Sequence, residues 1–455
     1  MTDLRREPPS QLRRRPPSPA RLIAGSFASA ILVGTALLSL PAAHAPGVKV
    51  SFVDALFTAT SAVCVTGLIV LDTGTDFSAF GQAVILLLIQ LGGLGILSAG
   101  LLVALAAGRR IGYRERQQLQ SQLSTSQVGG VVRLLRSVAV LVVVVEVVGA
   151  LLLWAPFAAR EGVGRGAYLA VFHSISAFNN AGFSPYRTSL MDYVTDPVVN
   201  LVVIALVVVG GLGFVVIADV LARGRRGRTA RLSLHARIVL ASTAVLLLGA
   251  TAAVLALEWG NPATLGALSP AQRPLAAFFQ AVTPRTAGFN TLDTAALAPG
   301  TTLFVMLLMF VGGSPGSTAG GIKTVTFVLL LGSAWSQIRG RNELVLFGRR
   351  VASATAVRAG AIALFAMLLL GAATTALLVT EPHASFQALA FEAVSAFGTV
   401  GLSTGVTPDL SVAGRMVVIA LMYLGRLGPM TLGLALMAAP HERKLTYPEE
   451  EVVIG

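Results

Sequence analysis

The chain has 455 residues, of which 55% are hydrophobic and only 12% charged, and it carries a formal net charge of +13. That is too little charge to coat a soluble domain of this size. A single cysteine, Cys64, excludes an internal disulfide framework. The basic excess is a topology signal rather than a nucleic-acid footprint, because most of it falls in alternate loops of a strongly apolar chain.

In chain order, residues 1–21 are rich in Arg and Pro and read as a disordered basic cytoplasmic arm that meets anionic lipid. Eight apolar runs follow, near 22–41, 80–108, 131–157, 197–222, 237–258, 301–338, 355–380 and 412–438. Each reaches the roughly 20 residues a helix needs to cross a bilayer. The first imitates a signal peptide, with Ala43-His44-Ala45 as a cleavage site. It is long for a signal sequence, and the internal repeat needs it as a first helix, so it is read as a retained span. Arg109, Arg110, Arg223, Arg225, Arg339 and Arg341 lie in loops that the positive-inside rule places in the cytoplasm with both termini. The intervening loops hold Asp54, Asp72, Asp192 and Asp293.

Between the spans lie four segments too short and polar to cross: FTATSAVCVTGL (57–68), FHSISAFNNAGF (172–183), FFQAVTPRTAGF (278–289) and FEAVSAFGTVGL (391–402). Each has Phe ten residues before a glycine, and Leu or Phe just after it. The glycines, Gly67, Gly182, Gly288 and Gly401, recur at intervals of 106 to 115 residues. A second glycine cluster follows each, at Gly92-Gly93, Gly210-Gly211, Gly312-Gly313 and Gly425-Arg426. The expected fold is therefore an all-α polytopic membrane protein. Four pseudo-repeated helix–pore-loop–helix units surround one central pore, with eight transmembrane helices and four re-entrant half-helices. The units are 22–108, 131–222, 237–338 and 355–438. Cytoplasmic loops 109–130, 223–236 and 339–354 join them, and 439–455 forms a cytoplasmic tail.

Non-helical backbone at membrane depth must be buried in protein or line a watery path. A half-helix aiming its negative C-terminal end at the axis, followed by an extended stretch ending in Gly, suits a cation held by backbone carbonyls. The expected ligand shell comes from Val65, Thr66, Gly67, Asn180, Ala181, Gly182, Thr286, Ala287, Gly288, Thr399, Val400 and Gly401. None is a carboxylate, so K⁺ fits better than Ca²⁺ or Mg²⁺. Midspan glycines such as Gly92 and Gly210 are read as packing positions. The sixth run is broken by Gly312, Gly313, Ser314, Pro315, Gly316, Ser317, Thr318, Gly320 and Gly321, a density no helix tolerates. An intramembrane loop is expected over 310–324, with Lys323 snorkelling at its cytoplasmic end. Arg426, an ionisable group deep in the last span, is expected beneath the ring, paired with carbonyls of that loop. Glu146, inside the third span, is read as a structural partner on a neighbouring helix. Glu392 and His173 occupy matching places in two of the short segments, and no second His or Cys gives His173 a metal-ligand spacing.

These four loops, with FVGGSPGSTAGGIKT (310–324), LGRLGP (424–429) and the tail KLTYPEEEVVIG (444–455), resemble the Trk/Ktr/HKT superfamily of potassium transporters. The likeness is greatest to the membrane subunit of bacterial Ktr systems. The resemblance implies K⁺ uptake across the bacterial plasma membrane, one filter glycine per loop, and a gate loop that obstructs the pore. It implies a homodimer on a cytosolic ring of nucleotide-binding regulatory subunits, with no bound cofactor, and it brings sodium stimulation among relatives. Gly67 leans toward K⁺, because plant relatives with serine there carry sodium. An ion-coupled secondary carrier for a small organic solute is the alternative; it would need carboxylates near midplane, where Glu146 stands alone. No cluster suited to enzyme chemistry and no nucleotide-binding fingerprint is present.

Overall fold

The computed structural model describes residues 19–95, 98, 131–226, 232–341 and 343–428. The basic arm up to residue 18, the end of the second apolar run with the expected loop 109–130, and the tail from 429 lie outside these residues. The described chain is almost wholly helical: α1 (Pro19–Leu38), α2 (Phe52–Cys64), α3 (Ala79–Leu94), α4 (Val131–Glu161), α5 (Val163–Phe178), α6 (Pro197–Leu212), α7 (Phe214–Arg226), α8 (Leu234–Glu258), α9 (Arg273–Val282), α10 (Pro299–Phe310), α11 (Thr324–Ile338), α12 (Ser353–Thr380), α13 (Phe386–Gly398) and α14 (Val412–Leu427). A two-residue hairpin pairs Val345–Leu346 with Arg349–Arg350 in the loop 339–354, a small departure from an all-helical chain.

Side-chain caps set many of the helix starts. The Ser51 hydroxyl accepts from Asp54 N while the Asp54 carboxylate accepts from Ser51 N, closing a capping box at α2. Ser78, Asp196, Ser233, Ser385 and Ser411 cap α3, α6, α8, α13 and α14 by accepting from backbone amides that the first turn leaves open.

Among the described residues, four helices are long and apolar enough to cross a membrane, Ala20–Leu38, Leu135–Glu161, Leu234–Glu258 and Ser353–Thr380, and the bent pair α6–α7 would make a fifth if it is one span. Val140, Val143, Val144 and Val147 on α4 are exposed, as are Val245 and Leu248 on α8. Such bands would aggregate in water and are the ordinary lipid face of a bilayer protein.

The partner helices differ from the uninterrupted spans expected at 80–108, 197–222 and 412–438. Helix α3 stops at Leu94, before Gly95 at φ +79°, and α14 stops at Leu427, before Gly428 at φ +80°. Helices α6 and α7 meet at 97° across Gly213, at φ +91°. The sixth run is broken as well, between α10 and α11. A left-handed residue cannot continue a right-handed helix, and glycine adopts that conformation without a Cβ penalty.

Packing between these elements closes a circle. Helix α3 packs on α5, α6 on α9, α10 on α13, and α14 returns to α2. The return contact carries an ion pair between Arg415 and Asp54, whose side chains are 20% and 13% exposed. Arg415 also donates to Leu410 O and Pro408 O, both at 2.9 Å. Arg415→Ala should therefore destabilise the fold by about 1–3 kcal/mol, between the values for surface and buried pairs. Thermal unfolding in detergent measures this as a drop of several degrees, and a double-mutant cycle with Asp54→Ala should show non-additivity.

Candidate functional site

The short helices α2, α5, α9 and α13 point their C-termini at one another. After each, the chain places a non-glycine residue in the left-handed region and, two residues later, a left-handed glycine. The pairs are Val65 (φ +57°) and Gly67 (+91°), Asn180 (+58°) and Gly182 (+68°), Thr286 (+67°) and Gly288 (+75°), and Thr399 (+50°) and Gly401 (+92°). The residue between each pair does not share the positive φ. Alternation of this kind turns successive carbonyls toward the same side of the strand. Left-handed conformations cost most for β-branched residues such as Val65, Thr286 and Thr399, and strain of this sort persists where the surroundings over-determine it.

The surroundings here are the next segment in the ring. A Cβ on Gly67 would overlap the Ala181 carbonyl oxygen, and one on Gly182 would lie 2.9 Å from Gly288 Cα and 3.0 Å from the Ala287 oxygen. One on Gly288 would overlap the Val400 oxygen, and one on Gly401 the Thr66 oxygen, returning to the first segment. So the four glycines form a closed cycle, and each abuts the carbonyl that precedes its neighbour's glycine. The residues after the glycines, Leu68, Phe183, Phe289 and Leu402, are all buried at 1% exposure or less and root the segments in the helical wall.

A hydroxyl five or six residues before each glycine ties the segment to its helix. Ser61 Oγ accepts from Gly67 N at 3.0 Å and Ser395 Oγ from Gly401 N at 3.2 Å. Ser176 Oγ donates to Phe183 O at 2.8 Å, and Thr283 Oγ1 donates to Phe289 O. The carbonyls of these same four residues accept from Thr66, Ala181, Ala287 and Val400 N at 2.8–3.0 Å. Sequence reasoning passed over these clamps, although a Ser or Thr at this offset in all four copies was there to be read.

Residues 311–323 run beneath the ring. The loop is stitched to α6 and the bend after it: Ser314 N donates to Gly211 O at 3.1 Å, Thr318 N to Gly210 O at 3.3 Å, and Phe214 N to Gly316 O at 3.0 Å. Thr318 Oγ1 donates to Asn180 Oδ1 at 3.0 Å, and a Cβ on Gly320 would overlap Thr399 Oγ1. Gly312 N donates to Ile322 O at 2.8 Å, Ser317 Oγ to Ser314 O at 2.7 Å, and Ser314 Oγ lies 3.2 Å from Thr324 Oγ1. Gly313, Pro315 and Gly321 complete the loop, with Pro315 O against Gly213 and Gly321 against Gly398 O. Lys323 does not snorkel outward. Its Nζ turns back to Ala319 O at 2.7 Å, satisfying a loop carbonyl that lacks a helix. Arg426, on the last turn of α14, donates to Thr318 O and, at 2.5 Å, to Gly92 O, so one guanidinium joins three parts of the circle.

The midspan glycines permit close approach. A Cβ at Gly92, Gly210 or Gly425 would overlap the carbonyl oxygen of Val63, Phe178 or Phe397, each near the end of a short helix. Behind the segments, Glu392 accepts from Ser403 Oγ at 2.9 Å and from Thr407 Oγ1, and His173 bonds Ser184 Oγ at 2.9 Å through Nε2 and Leu169 O at 2.8 Å through Nδ1. Glu146 accepts from Asn179 and Gln90. Among the described residues no group of three His, Cys, Asp or Glu side chains is placed to hold a metal ion.

The family profile for the cation transport protein TrkH matches residues 28–445. The chain belongs to the TrkH family. Among curated relatives, this TrkH-family chain is 42% identical to Ktr system potassium uptake protein B of Bacillus subtilis, over 96% of its own length and 97% of the relative's. It is 39% identical to the potassium/sodium uptake protein NtpJ of Enterococcus hirae, again over 96% and 97%. Ktr system potassium uptake protein B of Vibrio alginolyticus is 38% identical, over 96% of this chain and 94% of the relative. In fold it resembles the crystal structure of the potassium transporter TrkH from Vibrio parahaemolyticus. The TM-score is 0.70 at 20% identity, and the match covers 91% of this chain and 85% of that one.

Proposed function

We propose that this TrkH-family chain is the ion-conducting membrane subunit of a Ktr-type potassium uptake system. The observation that carries the reading is the closed cycle of four left-handed glycines, each set against a neighbour's carbonyl. In this reading the chain forms four helix–pore-helix–helix units around one axis, with eight spans and both termini in the cytoplasm. The carbonyls of Val65, Thr66, Asn180, Ala181, Thr286, Ala287, Thr399 and Val400 replace water around a dehydrated K⁺. Four short-helix C-termini add negative potential at the ring. The buried hydroxyls of Thr66, Thr286 and Thr399, without hydrogen-bond partners among the described residues, are available to the ion's remaining water.

The loop 311–323 is the gate, and Arg426 its latch. No nucleotide-binding fingerprint accompanies the pore, so the membrane potential drives uptake, at about 2.3 kcal/mol per charge per 100 mV. Control falls to a cytosolic regulatory ring with two copies of this chain seated on it; the word system in the names of the Ktr relatives supports a further component. The Enterococcus relative's name, potassium/sodium uptake protein, favours a second reading in which Na⁺ also permeates or stimulates transport. Growth of a potassium-uptake-deficient bacterium at low K⁺, with a Ktr-type regulatory subunit supplied, tests the function. Rescue with ⁸⁶Rb⁺ uptake is expected. No rescue from protein that reaches the membrane would overturn the proposal.

A further inference from the structure

The four segments share one backbone geometry but differ sharply three residues before each glycine, where the side chains are Cys64, Asn179, Arg285 and Gly398. At two of these positions an ionisable side chain stands behind the ring. Asn179 Nδ2 donates to Glu146 Oε1 at 3.1 Å and to Gln90 Oε1 at 2.8 Å, while Gln90 Nε2 donates to Glu146 Oε2 at 3.3 Å. Glu146 is 9% exposed, and its carboxylate accepts from both amide donors. In the next segment Arg285 is 8% exposed and its Nε has no hydrogen-bond partner. No ion pair joins Arg285 to a carboxylate among the described residues. Its side chain lines a small cavity with Val282, Thr243 of α8 and Gly211 of α6. The two segments are joined next to these positions, where Asn180 Nδ2 donates to Arg285 O at 3.4 Å.

We propose that Glu146 and Arg285 set the cation affinity of the ring with opposite sign, Glu146 raising it from behind the second segment and Arg285 lowering it from behind the third. This rests on the reading of the ring as the ion-binding element. An unpaired buried cation is costly to the fold, and beside a cation path its repulsion weakens ion binding, which conduction requires to be weak enough for the ion to leave. A charge behind the segments acts on the ion through Coulomb's law at an effective dielectric near 20, and about 1.4 kcal/mol of such interaction changes a binding constant tenfold.

Calorimetric titration of K⁺ into the purified full-length protein, in detergent and choline chloride, tests this. Glu146→Gln should weaken K⁺ binding by about tenfold, Arg285→Gln should tighten it by about tenfold, and Arg285→Lys should stay within about twofold of the unmutated protein. Local damage would weaken binding in both neutralised variants, so shifts in the same direction overturn the proposal. So do unchanged affinities in both, and so does Arg285→Lys behaving like Arg285→Gln. Should Arg285→Gln not purify as a single species, Glu146→Asp decides: it should bind K⁺ more tightly than Glu146→Gln, and equal affinities overturn the proposal. Absence of K⁺ binding by the unmutated protein would instead remove the ring reading itself, and this inference with it.

Discussion

Gly67→Ser should lower the ratio of ⁸⁶Rb⁺ to ²²Na⁺ uptake into membrane vesicles at least tenfold. Gly67 sits at φ +91°, where a side chain costs roughly 1–2 kcal/mol. The larger effect is positional: the new Cβ falls on the Ala181 carbonyl oxygen and lies 3.1 Å from Gly182 Cα. The first and second segments must separate or rotate, and either motion withdraws a carbonyl from the ring. Discrimination between K⁺ and the smaller Na⁺ depends on the number and placement of those carbonyls. A tenfold change requires only about 1.4 kcal/mol. An unchanged ratio in vesicles with normal expression would remove Gly67 from the ion path.

Shortening the loop across 312–321 should raise ⁸⁶Rb⁺ uptake at least tenfold in vesicles that lack a regulatory subunit. The loop is held by backbone bonds to Gly210, Gly211 and Phe214 on one side and by Arg426 on the other. None of these is a helix or sheet ladder, so the segment can leave as a unit. Arg426→Gln should act in the same direction with a smaller effect. It removes the bonds to Thr318 O and Gly92 O, each worth about 1.5–3 kcal/mol for a charged donor. Uptake unchanged by either variant would make the loop a passive filler.

Much of the ring was legible because four copies share one internal register. A lone glycine says little, whereas Gly67, Gly182, Gly288 and Gly401 at one offset from Phe57, Phe172, Phe278 and Phe391 say a great deal. The left-handed Val65, Thr286 and Thr399 were not legible, since local preference argues against that conformation for a β-branched residue. It is imposed by the local clamp from the preceding helix and by the neighbouring segment in front, the second a tertiary effect. The bend at Gly213 was hidden for a similar reason. Hydropathy runs unbroken from α6 into α7, and the 97° turn is fixed by the loop, where Gly316 O accepts from Phe214 N. Lys323 looked like an outward-reaching cation because its apolar flank resembles a span end. The loop that folds over it supplies a nearer acceptor in Ala319 O.

The central claim is that backbone carbonyls of the four segments hold the ion on one axis. Anomalous diffraction from crystals of the full-length protein grown with Rb⁺ in place of K⁺ tests it most directly. An anomalous peak is expected on the axis between the Thr66, Ala181, Ala287 and Val400 carbonyl oxygens, lost in crystals grown with choline alone. A Rb⁺ peak elsewhere in the membrane region, with none at that ring, would contradict it.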